Sequence, residues 1–596
     1  MRLLLLLFCL LFPLADAASA ELITHPSGRA SLDLNGTWRV LVDPYLIGTD
    51  PARRVWEDRK TDDALFYEYS FEGARTLEVP GDWNHQSPDL NYYEGTIWYA
   101  RHFDAPAADG RHFLYFSGVS TRCTVYLNGE ELGSHEGAFT PFQFEVTGKL
   151  RERGNFLCLA VNNERRADAI PAKSFDWWNY GGITRDVRLI SVPPCFVGQY
   201  FLRLEQGNTR QICLDAKVEG TVPADMLLRV QIPELKLDRT FPLEGRNSLS
   251  ASIPVKKLRL WSLEDPWRYE VTLSLVRKKK AEDSIKERIG FRHIRTAGEK
   301  ILLNGKPIFM KGISFHEENP AEARRACTEE DARLLLEAAK ELGCNMVRLS
   351  HYPQNEYIVE LADRMGILLW EEIPLWQGID FTDEGTYRKA ERYLQEMIAR
   401  DRNRCSVVLW SLSNETRPGD ARDRFMSRLL AYGRSLDRSR LFTSAFSILQ
   451  MDEKSGDVRM ADRFAEEVDV VGINLYMGWY ARWTLEPEAY RWSVAPGKPL
   501  IFSEFGGEAL AGRHGDGELA ASWSEDYQAN LYRKNLRMID RIDNLAGVVP
   551  WLLYDFRSPY RLHPVLQQGW NRKGVLSPGG EKKKSWYVLR AYFAER

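Results

Sequence analysis

After its first fourteen residues this sequence has no apolar run approaching the roughly 20 residues that cross a bilayer as a helix, so an integral helical membrane protein is excluded. An excess of one charge is also missing: 80 Lys and Arg stand against 83 Asp and Glu, for a net charge of -3. So even a balance gives no reason to expect nucleic acid or an anionic membrane surface as partner. Cysteine is scarce, with eight in 596 residues. Cys9 falls in the N-terminal apolar run without a lipobox. The other seven, Cys123, Cys158, Cys195, Cys213, Cys327, Cys344 and Cys405, are irregularly spaced and form no zinc-type pair. They read as buried free thiols with room for one bridge. No internal repeat, low-complexity tract or metal-ligand cluster is visible, and no cofactor is expected.

What is abundant is aromatic residue, 12% of the chain with 18 Trp. Large β cores account for most of these, and some would suit stacking on sugar faces. Met1–Ala20 carries one Arg, an apolar run from Leu3 to Leu14 and small residues at Ala18 and Ala20, the pattern of a secretory signal cleaved after Ala20. Export to a periplasmic or extracellular space follows. A lysosomal location fits less well, because the only glycosylation-type triplets start at Asn35 and Asn414.

The length predicts three to four domains. Residues 21–192 read as all-β: Asn35-Gly36 and Asn128-Gly129 are tight-turn pairs, the second preceded by the alternating run Cys123 to Leu127. Residues 193–292 hold further short alternating segments, "QICLDAKVEGTV", "DMLLRVQI" and "YEVTLSLV", enough for a small β-sandwich. Arg277 to Lys280 between two such segments reads as a solvated hairpin tip. From residue 293 to 596 short apolar runs alternate with helical ones. Eight strands are expected, at Pro307 to Ser314, Cys344 to His351, Gly366 to Ile373, Ser406 to Glu415, Leu441 to Ser447, Val468 to Tyr476, Pro499 to Gly506 and Ala546 to Asp555. Thr328 to Asp331 is a capping-box pattern opening one intervening helix. Eight such units indicate a (β/α)8 barrel.

Active sites on a barrel gather at the carboxyl ends of the strands. Those ends supply His316, Arg348 and His351, Glu371 and Glu372, Asn414 and Glu415, Asn474 and Tyr476, Glu504, and Trp551. Ser406 to Glu415, "SVVLWSLSNE", and Pro499 to Gly506, "PLIFSEFG", each deliver a carboxylate from a buried strand. Two opposed carboxylates are the requirement for acid-assisted cleavage of a glycosidic bond. Arg348 suits an ionised nucleophile, whereas the acid needs a less polar setting.

The domain order with "WSLSNE" and "FSEFG" resembles glycoside hydrolase family 2 over nearly all of the chain beyond the leader. The resemblance implies a jelly-roll-like domain, an immunoglobulin-like sandwich and a catalytic TIM barrel. It implies retaining hydrolysis of a terminal β-linked sugar with Glu415 as acid/base and Glu504 as nucleophile. His316, Arg348, His351 and Asn414 match glycone-pocket positions. Within the family the likeness is to the β-glucuronidases: "NLYMGWY", Asn474 to Tyr480, resembles their strand-six motif, and "DWWNYGGI" matches the first-domain loop that supplies an aspartate, here Asp176. Asn571-Arg572-Lys573 matches the Asn-x-Lys triplet that binds a uronic carboxylate there, which an amide donor and a full positive charge are suited to do. Two departures stand out. Met477 replaces a second Tyr, and "IPLWQGIDFTDEG" is too short for a long flap, which leaves the entrance open to oligosaccharide aglycones. A β-galacturonidase or a neutral-sugar β-galactosidase of the same family is the enzymatic alternative, with a non-catalytic carbohydrate-binding protein the remote one. The expected partner is a carbohydrate with a terminal uronic acid, with homo-oligomerisation left open.

Overall fold

The computed structural model describes residues 22–58, 69–106 and 109–596, and the expected leader lies outside them. The first sandwich pairs a six-stranded antiparallel sheet, whose centre is Thr96–Phe103 and Asn155–Asn162, with a four-stranded sheet that includes Arg111–Phe116 and Val187–Val192. Trp38, Tyr99, Val125, Leu157 and Leu189 fill the space between them. Asn128 and Gly129, at φ 54° and 89°, turn the hairpin from Arg122–Leu127 to Glu130–Glu136 as the sequence predicts. Asn35-Gly36 instead marks a corner: Ser31–Asp33 belongs to the four-stranded sheet and Gly36–Val42 to the six-stranded one. The Asn35 side chain is spent on Asp186 and the Val187 N–H, which ties the corner down.

The second sandwich packs three strands, Phe196–Glu205, Asn208–Glu219 and Ser248–Pro254, on four that include Leu227–Ile232 and Tyr269–Arg277. Lys278 and Lys279, both at positive φ, form the expected exposed tip.

A closed barrel follows. Its strands are β1 (Met310–Phe315), β2 (Met346–Leu349), β3 (Leu368–Glu372), β4 (Val407–Asn414), β5 (Leu441–Phe446), β6 (Val470–Asn474), β7 (Leu500–Glu504) and β8 (Leu545–Val548). All eight expected strands are present, mostly with shorter ends, though β1 runs one residue further to Phe315 and β8 begins one residue earlier at Leu545. Residues 306–308 leave β1 for a small hairpin sheet with Ile294–Ala297 and Lys300–Leu303. β8 stops at Val548, so Trp551 stands beyond its strand. Helices α1 (Glu329–Leu342), α2 (Glu356–Met365), α3 (Glu384–Asp401) and α4 (Asp420–Leu436) follow β1 to β4, and α5 (Glu525–Ile539) follows β7. The capping box of Thr328 and Asp331 is formed on α1. The expected helices after β5 and β6 are replaced by 3-10 turns and a three-stranded sheet of Leu449–Met451, Asp457–Met460 and Arg491–Ser493. Those segments carry Asp, Gly and Pro, which favour turns and caps over helix interior, and Trp, which loses rotamer freedom in a helix. All seven described cysteines are free, so the bridge for which the sequence left room does not form. Among the described residues no helix is long and apolar enough to cross a membrane.

Candidate active site

β4 is buried at all eight positions, and its pairing with β5 shifts between Ser411 and Asn414. Regular alternation would turn consecutive side chains to opposite faces. Here Glu415 takes φ 52°, a left-handed conformation costing about 1–3 kcal/mol for such a residue, and Asn414 and Glu415 both line the barrel mouth. The Glu415 N–H is anchored on Ala445 O at 2.9 Å.

The mouth is a cavity of about 500 Å³. Of the sequence-predicted site residues, Asp176, His316, His351, Asn414, Glu415, Tyr476, Tyr480, Glu504, Trp551, Asn571 and Lys573 line it, while Arg348 and Asn474 are buried directly behind. Glu371 is not part of it. Side chains alternate along β3, so Glu372 faces the mouth and Glu371 points outward to Arg400 and Asp401, where burial and then the Asp401 charge push its carboxyl well up.

Arg348 organises the floor. Its guanidinium reaches Glu504 Oε1 at 2.6 Å, Asn414 Oδ1 at 2.8 Å and Glu372 Oε1 at 2.9 Å. Burial alone would lower its pKa, but the Glu372 and Glu504 charges outweigh burial and hold it protonated. Tyr476 OH donates to the other oxygen of Glu504 at 2.7 Å. Glu504 therefore accepts on both oxygens, as an ionised carboxylate does.

Glu415 is set differently. Asn474 Nδ2 donates to its Oε1 at 3.0 Å and Gln377 Nε2 to its Oε2 at 2.8 Å. Burial first, then the Glu504 charge, raise its pKa against these two amides. Two carboxylates thus share one cavity in different company, Glu415 with its pKa raised among neutral amides and Glu504 held by a guanidinium and a phenol.

Around them stand groups with unspent hydrogen-bonding capacity. His316 Nδ1 pairs with Tyr352 OH at 3.2 Å, but its Nε2 has no partner, and burial with the neighbouring His351 pushes its pKa well down, leaving it neutral. His351 meets Glu372 through Nδ1 at 2.6 Å and stacks on Trp551 with ring centroids 4.8 Å apart. These are polar hands and an aromatic face of the kind a pyranose uses.

One end of the cavity is cationic. Lys573, whose side chain is 2% exposed, donates to Tyr480 OH at 2.8 Å and lies 3.6 Å from Glu508. Asn571 Oδ1 accepts from the Lys573 backbone N–H at 3.2 Å. Arg561 reaches the same Tyr480 oxygen at 3.3 Å and ion-pairs with Asp176 at 2.6 Å. Desolvation of its hydroxyl end would raise the Tyr480 phenol, but Lys573 and Arg561 pull it below its ordinary value, while the residue as a whole stays 61% exposed. Asp176 also accepts from Ser558 Oγ at 2.5 Å, so the first domain closes this wall.

Sequence reading missed Trp177, Trp376, Gln377, Phe556, Tyr560 and Arg561, all on the cavity wall. Trp177 adjoins Asp176 in the quoted loop motif and could have been included. Trp376 and Gln377 lie in the segment noted only for its length. Arg561 and Tyr560 carry no sequence signal, since the path of the loop after β8 alone brings them in. Among the described residues no group of three or more His, Cys, Asp or Glu could hold a metal.

Comparison with known proteins is consistent with this geometry. Models of glycosyl hydrolases family 2 match residues 32–193 as its sugar binding domain, 203–292 under the family name alone and 294–569 as its TIM barrel domain. The chain belongs to glycosyl hydrolase family 2. As a member it is a glycosidase. A β-glucuronidase of Paenibacillus borealis is 27% identical over 95% of this chain and 97% of its own. A solved β-glucuronidase of Ruminococcus gnavus in complex with D-glucuronic acid superposes with a TM-score of 0.81 at 26% identity, covering 95% and 98% of the two chains. A β-galacturonidase of the same family from Eisenbergiella tayi, bound to galacturonate, gives 0.78 at 25% identity over 96% and 98%.

Proposed function

We propose that this chain removes a terminal β-linked glucuronate from oligosaccharides or glycoconjugates by retaining double displacement. Glu504, ionised between Arg348 and Tyr476, attacks the anomeric carbon, and the leaving oxygen takes its proton from Glu415. Glu415 then withdraws a proton from the water that releases the sugar. Asn414 Nδ2, which has no partner among the described residues, and His316 Nε2 are placed to hold ring hydroxyls. The leader-like Met1–Ala20 supports action in a periplasmic or extracellular space.

The observation that carries the uronate reading is the Lys573 ammonium reaching the cavity that holds both carboxylates, with Asn571 beside it and the Tyr480 phenol on it. Charge alone does not demand an acidic sugar, because Glu508 stands 3.6 Å from Lys573. The convergence of Lys573 and Arg561 on one oxygen is what fits a carboxylate. The likeness to the β-galacturonidase supports a second reading, in which the C4 hydroxyl is inverted. A panel of aryl β-glucuronide, β-galacturonide and β-galactoside compared by kcat/KM separates the two. Lys573→Ala is expected to lower kcat/KM on the uronides by about 100-fold, the scale of a lost charged hydrogen bond, while sparing the galactoside. Equal losses on all three would refute carboxylate recognition.

A further inference from the structure

We propose that Gln377 is a positioning residue for Glu415. It holds the carboxylate oxygen that carries the proton and yields it to the leaving group of the substrate. The proposal rests on the reading of Glu415 as acid/base.

The two oxygens of Glu415 are held by amides of opposite character. Asn474, on Oε1, is buried and cannot turn over: its Nδ2 also donates to Asn414 Oδ1 at 3.0 Å, and its Oδ1 accepts from Ser503 Oγ at 2.7 Å. An oxygen facing a fixed N–H is a poor seat for a proton, so the acid form carries its proton on Oε2. The partner of Oε2 is Gln377 at 2.8 Å. Gln377 is exposed, and among the described residues no other hydrogen bond holds its amide. It can therefore donate Nε2 to the ionised carboxylate or turn and accept from the protonated one. One side chain thus serves both forms of Glu415, and its bond to the ionised form, being charge-assisted, is the stronger.

Its location adds a second role. In the first step the glycosidic oxygen must come within hydrogen-bond reach of Oε2, the place the Gln377 amide occupies. The backbone beneath is held: Trp376 packs edge-on against Trp177 with centroids 6.1 Å apart, and Gly378 at φ 82° lies where a Cβ would stand 3.2 Å from Ser174 Oγ. Only the side chain needs to move, and once displaced its amide is free for a hydroxyl of the departing group. A leaving group bearing hydroxyls, itself a sugar, is the class that exploits this.

The test uses Gln377→Ala and Gln377→Glu in the full chain, with kcat/KM measured against pH on an aryl uronide and on a uronide carrying a sugar leaving group. Loss of a donor to the ionised carboxylate raises its pKa, so in Gln377→Ala the alkaline limb should move up by about half a unit, with the acid limb fixed. Gln377→Glu, which adds a like charge, should move it further the same way. The loss on the sugar leaving group should exceed that on the aryl one by about tenfold, because a good leaving group needs little protonation. An unmoved alkaline limb, or equal losses at every pH, would overturn the proposal. Glu415→Ala tests the underlying reading separately: azide should restore its activity on the aryl uronide. Absence of rescue would remove Glu415 as acid/base, whereas rescue beside an unmoved Gln377 profile would remove only Gln377.

Discussion

Glu415 and Glu504 are chemically the same side chain, and what separates them is their immediate company. Glu504 has a guanidinium and a phenol, while Glu415 has two neutral amides and a like charge nearby. Under the proposed mechanism, Glu504→Gln keeps the shape and removes the nucleophile. Turnover is expected to fall by about 10⁴-fold or more, and near-normal kcat would exclude Glu504 from that role. Because the proposed mechanism needs Glu415 protonated in the first step and its pKa is raised, activity is expected to be retained below that raised value and lost as pH climbs through it. The alkaline limb of kcat/KM should therefore lie above the ordinary carboxylate value of 4.5. Both carboxylates were legible in sequence because an apolar strand ending in polar residues has few bland explanations. Gln377 and Arg561 were not, since each arrives on a loop whose path no periodicity encodes.

For the barrel's elements, legibility followed the same division. Strand existence came from apolar runs, but strand ends depended on partners: residues 306–308 pair with a hairpin instead of continuing β1. Period-two alternation could have separated Glu371 from Glu372 had the inward face been known. Closure of the barrel depends on the tight contact of β1 with β8. At Gly547 a Cβ would lie 2.5 Å from Met310 Cβ and 2.8 Å from Met310 O. Since Met310 pairs directly with Gly547, neither strand can withdraw without opening the ring. Gly547→Ala is expected to destabilise the chain by about 1–3 kcal/mol, the usual cost of overpacking, readable as a lowered urea midpoint.

Across the whole molecule, the first sandwich is fastened to the barrel by buried charge. Arg185 of the sandwich reaches Glu317 at 3.0 Å, Pro353 O at 2.7 Å and, on its own side, Phe139 O at 2.7 Å, with both charged side chains 1% exposed. Arg325 of the barrel returns the tie through its N–H to Asp82 at 2.9 Å. Arg185→Met would leave the buried Glu317 only the longer ion pair with Arg325 at 3.6 Å and cost about 3 kcal/mol, the low end for removing one partner of a buried pair. Denaturant titration should show that loss, and a rise in KM should accompany it as the Asp176 loop loses its seat. No sequence pattern announced this seam, because a single Arg and a single Glu 132 positions apart leave no local trace.

Asp176, Ser558 and Arg561 lock the two domains together along one wall of the cavity. Under the proposed reading a terminal uronate is seated against that wall, at the tip of its chain. Under the proposed activity, degradation is then counted in chain ends and not in chain mass. A solution of long acidic polysaccharide would release free uronate steadily while its viscosity stayed almost unchanged, and any enzyme that cuts such chains internally would multiply this one's rate by creating new tips.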